Sequence, residues 1–352
     1  MYRKGGQMFR QLTRLTVALL FALLLAIAAG CGGSSPSPSP SATGASVSAS
    51  TQPNPGTTIR MGIEPWIGYG PWYIAQEKGY FKENGIDVEI INFATDAQRE
   101  AAYVGEKTDV SNMPTHTSLL FVQQGVDAKG ILLEDVSMSA DAVLARSPIT
   151  SIAQLKGKKV AYEQGTTSDI LIHYALAANG MSESDIVPVP MAASDAGSAL
   201  IAGRVDAAVT YEPYISAALH EGAKSIYAAS EDPGLVSDVL VAHTSLATDN
   251  PGALVALCKS WGQAVDYYNS NTADAQAIIA KGVGASVSDL ETAFKGVKLF
   301  DLDQNVQMLT GDFATKIVPD VMNAAVASGF LTQPVDATAF IDPTFVEAAA
   351  GR

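Results

Sequence analysis

From residue 57 onward, short apolar runs alternate with longer amphipathic stretches. Residues 59–63, 88–91, 110–111, 128–134, 159–162, 187–189 and 207–209 read as strands, each a brief stretch containing Val, Ile, Leu, Ala or Met and bounded by polar or Gly/Pro punctuation. Between them lie helical patterns over 72–83, 97–105, 115–124, 168–178, 196–202 and 213–221, two of which stop at Asn-Gly pairs (Asn84-Gly85 and Asn179-Gly180). A short helix is also expected just after Ser151. Beyond Asp249 the pattern is mostly helical, with 253–268, 273–281 and 305–327 the longest candidates. Strands separated by helices of this length predict βαβ units, so the expected fold is α/β: two lobes with mostly parallel sheets and a helical C-terminal part. The chain should cross between lobes twice, near 144–148 and 238–244, which puts 57–146 with 243–352 in lobe 1 and 147–242 in lobe 2. Such sheets place ligands beyond the carboxyl ends of their strands, here in the crevice between the lobes.

The first 54 residues do not fit this pattern. They carry Arg3, Lys4, Arg10 and Arg14, no acid, and an apolar run from about Leu15 to Ala29 that is short for a permanent membrane span. The run ends in Ala28-Ala29-Gly30-Cys31. Small residues directly before a cysteine resemble a bacterial lipobox, which implies a signal peptide over 1–30 and a diacylated Cys31. A tether rich in Ser and Pro, 31–56, cannot bury apolar surface and should act as a flexible leash. The expected location is therefore the outer face of the cell membrane, with lipid as the anchor.

Composition narrows the function. The chain has 352 residues, 47 % of them hydrophobic, with 22 Lys+Arg against 36 Asp+Glu, for a net charge of −14. Loss of the four basic residues in the leader leaves 18 basic against 36 acidic. That balance speaks against nucleic-acid backbone binding, and two cysteines supply neither a disulfide framework nor a four-cysteine zinc site. The four histidines, His116, His173, His220 and His243, show no compact metal or catalytic spacing. No metal, cofactor or catalytic residue is expected, and the chain is read as a monomeric binder rather than an enzyme.

The strand-end loops hold the candidate binding residues. Trp66 and Tyr69 lie in the Gly/Pro-rich loop after the first strand, where aromatic faces can wall a pocket and stack on a planar or cationic group; Trp72, one turn into the helix, is expected to pack in the core. Thr166, Thr167, Ser168 and Asp169 open an apolar helix, where free N–H groups and hydroxyls suit either a ligand or the helix's own cap. Asn112, Thr115, Ser139 and Tyr211 complete the polar or aromatic set. Glu64, Asp135, Asp169 and Glu212 all fall in strand-end loops, while no Lys or Arg clearly does. Carboxylates converging on a cleft repel nitrate or sulfonate and suit an amine, amidine, guanidinium or zwitterion.

The stretch GIEPWIGYGPWYIAQEKGYFKENGIDVEI at 62–90 resembles the start of solute-binding proteins of the nitrate/sulfonate/taurine ABC importer family. TDVSNMPTH at 108–116, LKGKKVAYEQGTTSD at 155–169 and AGSALIAGRVDAAVTYEPY at 196–214 follow in the family's order. The resemblance implies a two-lobed type II periplasmic-binding fold that closes on a small solute and delivers it to a membrane permease and its ATPase. It leaves several solutes open: a cation or zwitterion such as guanidine, an amine or taurine; an aliphatic sulfonate or nitrate; or a pyrimidine precursor of thiamine. Yeast thiamine-pyrimidine synthases share the fold but carry a cysteine-rich motif that has no counterpart here.

Overall fold

In a computed structural model of the chain, residues 52–352 are described; Cys31, the signal peptide and most of the tether lie outside them. Eleven strands, β1 (Thr58–Ile63), β2 (Asp87–Asn92), β3 (Val110–Pro114), β4 (Lys129–Ser137), β5 (Asp141–Ala145), β6 (Lys159–Tyr162), β7 (Val187–Pro190), β8 (Ala207–Tyr211), β9 (Lys224–Ala228), β10 (Ser237–Ala242) and β11 (Val297–Leu299), form two sheets. The first has the order β11-β4-β10-β3-β1-β2 and the second β7-β6-β8-β5-β9.

The sheets are mixed rather than mostly parallel. The β1–β2, β1–β3, β6–β7 and β6–β8 pairs are parallel, as βαβ connections require. Five pairs are antiparallel, and β5 and β10 take part in four of them. These two strands follow the crossings between the sheets, and each runs antiparallel to both neighbours in the sheet it enters. The sequence expectation placed both crossings one strand late. The strand β5 already belongs to the second sheet and β10 is back in the first, so the crossings fall at 138–140 and between β9 and β10. The strands β5, β9, β10 and β11, three to six residues each, fall outside the regular strand–helix alternation and so escaped the sequence reading.

Helices cover the sheets: α1 (Gly70–Lys78), α2 (Tyr80–Glu83), α3 (Asp96–Val104) and α4 (Thr115–Gln124) in lobe 1, then α5 (Thr167–Ala178), α6 (Ala193–Ile201) and α7 (Tyr214–His220) in lobe 2. The stretch expected as one helix over 72–83 is two, because Gly79 adopts φ +82° and ends α1 with a left-handed cap before α2 begins. Lobe 1 resumes with α8 (Thr244–Asp249), α9 (Pro251–Ser270) and α10 (Thr272–Val283). Trp72 of α1 meets Trp261 of α9 with ring centroids 4.9 Å apart, both fully buried. The helix expected over 305–327 is interrupted near Thr310-Gly311, so α11 (Glu291–Gly296), α12 (Leu302–Leu309) and α13 (Val318–Ala327) are separate.

The end of the tether is held against lobe 1. The Asn54 amide donates to Asn250 Oδ1 at 3.0 Å, Asn54 Nδ2 donates to the Asp249 carbonyl at 3.3 Å, and Asn250 Nδ2 donates to Thr57 Oγ1 at 2.8 Å. Those bonds fix the chain where α8 meets α9, one residue range earlier than the body was expected to begin.

Candidate functional site

A cleft between the lobes encloses about 770 Å³, its open mouth included. Its walls are the strand ends anticipated for this fold class. Lobe 1 supplies Glu64, Trp66 and Tyr69 after β1, Thr95 and Asp96 after β2, and Pro114 at the end of β3. Lobe 2 supplies Glu163 after β6, Thr166–Ser168 at the start of α5, Ala192–Ser194 after β7, and Tyr211 at the end of β8. The two crossing strands contribute Asp141 from β5 and Asp238 from β10.

Trp66 and Tyr211 approach each other from opposite lobes, edge to face, with ring centroids 6.3 Å apart. The Trp66 indole donates to Asp135 Oδ2 at 3.2 Å. Glycine makes this packing possible, since a Cβ at Gly68 would stand 2.0 Å from Asp135 Oδ2. Tyr69 is 1 % exposed yet borders the cavity, so its ring serves both core and wall.

Of the residues singled out from sequence, Glu64, Trp66, Tyr69, Thr166, Thr167, Ser168 and Tyr211 border the cleft. The other six do not. Asn112 is fully buried, taking the Trp72 indole at 2.6 Å and donating to the Gly62 carbonyl at 2.7 Å, so its amide is spent inside lobe 1. Thr115 donates to the Ser237 carbonyl at 3.0 Å and so joins α4 to β10. Asp135 lies behind Trp66, opposite Asp238 in the β4–β10 register. Ser139 is exposed on the first crossing. Asp169 accepts from the Gly165 amide at 2.8 Å and lies 2.8 Å from His173 Nδ1, which turns it towards its own helix. Glu212 accepts from the Ser216 amide and hydroxyl, both at 3.0 Å, and thereby caps α7. The cap of α5 is Thr166, whose hydroxyl accepts from the Ser168 amide at 3.3 Å.

Sequence reasoning missed Asp96, Glu163, Asp141 and Asp238. A Thr-Asp pair opening a helix after a strand was a signal for Asp96. A single acid inside an otherwise apolar strand was the signal for Asp141 (DAVLA) and Asp238 (SDVLVA). Buried strand positions exclude charge unless something nearby compensates it, so each such acid needs a reason.

Among the described residues, the cleft lining holds the acids Glu64, Asp96, Asp141, Glu163 and Asp238, and no Lys, Arg or His. The nearest cation is Arg99 of α3, fully buried, whose two terminal nitrogens each lie 2.5 Å from a carboxylate oxygen, one of Glu64 and one of Asp96. Its fork is thereby committed to protein acids. Burial raises Glu64 well above the usual carboxylate range, and Arg99 pulls the other way. Asp141 is pushed up to about 7, by burial first. Asp238 is raised by burial and then by the neighbouring Asp135 and Asp141. Glu163 is raised by burial against the opposing bond from the Ala193 amide, 3.0 Å long. Burial lowers His116 to about 4, so that ring is neutral at physiological pH.

Among the described residues, no three or more His, Cys, Asp or Glu side chains are grouped to hold a metal ion, and no helix is long and apolar enough to cross a membrane. Cys258 is a free thiol buried in α9, and burial pushes it far above the reactive range.

Two sheets joined by a double crossing, with a cleft at their strand ends, define the periplasmic-binding class of fold. The chain belongs to the NMT1/THI5-like family, whose model matches residues 66–275. A protein of Brucella abortus named only as a binding protein is 25 % identical over 284 residues, which is 79 % of this chain and 88 % of that one. A Bacillus subtilis protein named for binding aliphatic sulfonates is 24 % identical and aligns over 83 % of this chain and 87 % of its own length. The crystal structure of the periplasmic aliphatic sulphonate binding protein SsuA from Escherichia coli superposes with a TM-score of 0.67 at 20 % identity, over 80 % of this chain and 90 % of that one. A desulfurization enzyme shares the fold at 14 % identity and a TM-score of 0.64, over 84 % of this chain and 99 % of that one.

Proposed function

We propose that this chain is the lipid-anchored, extracytoplasmic solute-binding component of an ABC importer, and that it captures a small nitrogen-bearing cation or zwitterion by closure of its lobes. Family membership and the names of its relatives support the transport role. The charge of the solute rests on one observation: five carboxylates line the cleft, and the Arg99 guanidinium beside them is already paired with two of the five, Glu64 and Asp96. In a low-dielectric crevice such a lining attracts a cation and costs an anion dearly. The rings of Trp66, Tyr69 and Tyr211 add faces on which a planar or cationic group can stack.

No bond chemistry is assigned to the site. Its partners are the solute, a permease with its ATPase, and the membrane through the Cys31 lipid. Substituting Cys31 by Ser should release the protein from the membrane fraction into the medium. Solute binding should stabilise a closed form through its greater affinity for that form, read as compaction in small-angle scattering.

Sulfonate binding is the second reading, and the names of the relatives favour it. The two are separated by calorimetry on the lipid-free mature protein with guanidinium, taurine, nitrate and an alkylsulfonate side by side. Heat from guanidinium or taurine with silence from nitrate is the expected result; tight binding of nitrate or the alkylsulfonate alone ends the cationic reading.

A further inference from the structure

Asp141 and Asp238 are 8 % and 5 % exposed, and both face the cavity wall. Asp141 Oδ2 and Asp238 Oδ1 have no hydrogen-bond partner among the described residues. Buried acceptor oxygens left bare cost stability, and a native structure tolerates them where something else completes them. The two residues also belong to different lobes: Asp141 opens β5 just past the first crossing, and Asp238 is the second residue of β10 just past the other. Around them stand further acids, Asp135 opposite Asp238 in β4, Glu134 beside it, and Asp96 at the start of α3, while Arg99 is occupied by Glu64 and Asp96. Among the described residues neither pairs with a Lys, Arg or His, and only the field of Arg99, already shared by Glu64 and Asp96, reaches Asp238 to oppose their mutual repulsion.

We propose that Asp141 and Asp238 form a cation subsite on the cleft floor, specific for a nitrogen cation that carries N–H donors (a primary ammonium, an amidinium or a guanidinium), and that this cation latches the two lobes by bridging one carboxylate from each. The inference rests on the cationic reading above and goes further, since it names the atoms and the donor requirement. Bare carboxylate oxygens need hydrogens, so a fully methylated nitrogen offers charge but leaves them unpaired. Without the cation, the two buried carboxyls cannot both ionise side by side; with it, each lobe holds one side of a shared donor.

The test uses the lipid-free mature protein and a matched pair, benzylammonium and benzyltrimethylammonium, beside guanidinium and benzamidinium, read by calorimetry. The N–H cations should bind, and the trimethyl analogue should bind about tenfold or more weakly. Asp141→Asn and Asp238→Asn should each weaken the N–H cations by about tenfold or more, whereas Asp303→Asn, far from the cleft, should leave affinity unchanged. Thermal unfolding of each variant without solute checks that it folds. Equal affinity for the matched pair overturns the subsite, as does undiminished binding in both folded variants, and in either case the cationic reading survives. Heat from no cation in the panel overturns both proposals together.

Discussion

The two ends of the cleft handle acid in opposite ways. At the lobe 1 rim, Glu64 and Asp96 share the guanidinium of Arg99, so a cation of the chain itself offsets part of their charge. On the floor, Asp141, Asp238 and, one layer behind, Asp135 are buried with bare oxygens, and none forms an ion pair among the described residues. A rim built this way is structural, held whether or not solute is present. A floor built this way has no ion-pair partner of its own among the described residues. Buried charge is costly in both places, so the difference lies in whether the compensating charge is covalently part of the chain.

The largest expected effect comes from spoiling the matched end. Arg99→Ala leaves Glu64 and Asp96 uncompensated, and should cost about 3–5 kcal/mol in urea unfolding. A loss under about 1 kcal/mol would show that the rim acids relax into water, and would erase the contrast.

Next comes the pH response of the floor. The folded Asp141 carboxyl, at about 7, lies above the range of an unfolded aspartate. Its contribution to stability is therefore complete below pH 4 or so and is lost as pH rises through about 7. The stability of the empty wild type against unfolding should fall as pH rises across that window, and Asp141→Asn should flatten the trend. A bound cation favours the ionised form, so affinity for guanidinium should rise with pH over the same interval. A thermal midpoint and an affinity that both ignore pH from 5 to 8 would place the floor acids in ordinary solvent.

A smaller effect belongs to the seam between the lobes. Trp66→Phe keeps the ring but removes the donor to Asp135, leaving another bare oxygen on the floor. About 1–2 kcal/mol of stability should go, and the indole emission that reports closure should go with it. The smallest concerns Gly79: alanine there meets open space but a left-handed φ, for a loss of about 1 kcal/mol, with solute affinity intact.

Much of the architecture was legible because apolar runs and caps are local signals. The expected helix at 115–124 coincides with α4, and β6 falls on 159–162, since in both places pattern and boundary residues agree. The strand-end rule also led to the cleft, where Glu64, Trp66, Tyr69 and Tyr211 are found. It failed where a side chain's direction is set by tertiary packing. Asn112 and Thr115 sit beside the cleft in sequence but turn inward to serve Trp72 and Ser237. Glu212 and Asp169 are taken up by helix starts of their own. The floor acids were overlooked for the converse reason: they lie inside strands, and the search went to loops.

The Asn54–Asn250 clasp fixes the incoming chain at the α8–α9 corner of lobe 1. If the preceding residues moor the protein to a membrane as proposed, the pull enters lobe 1, and lobe 2 is left off the load path.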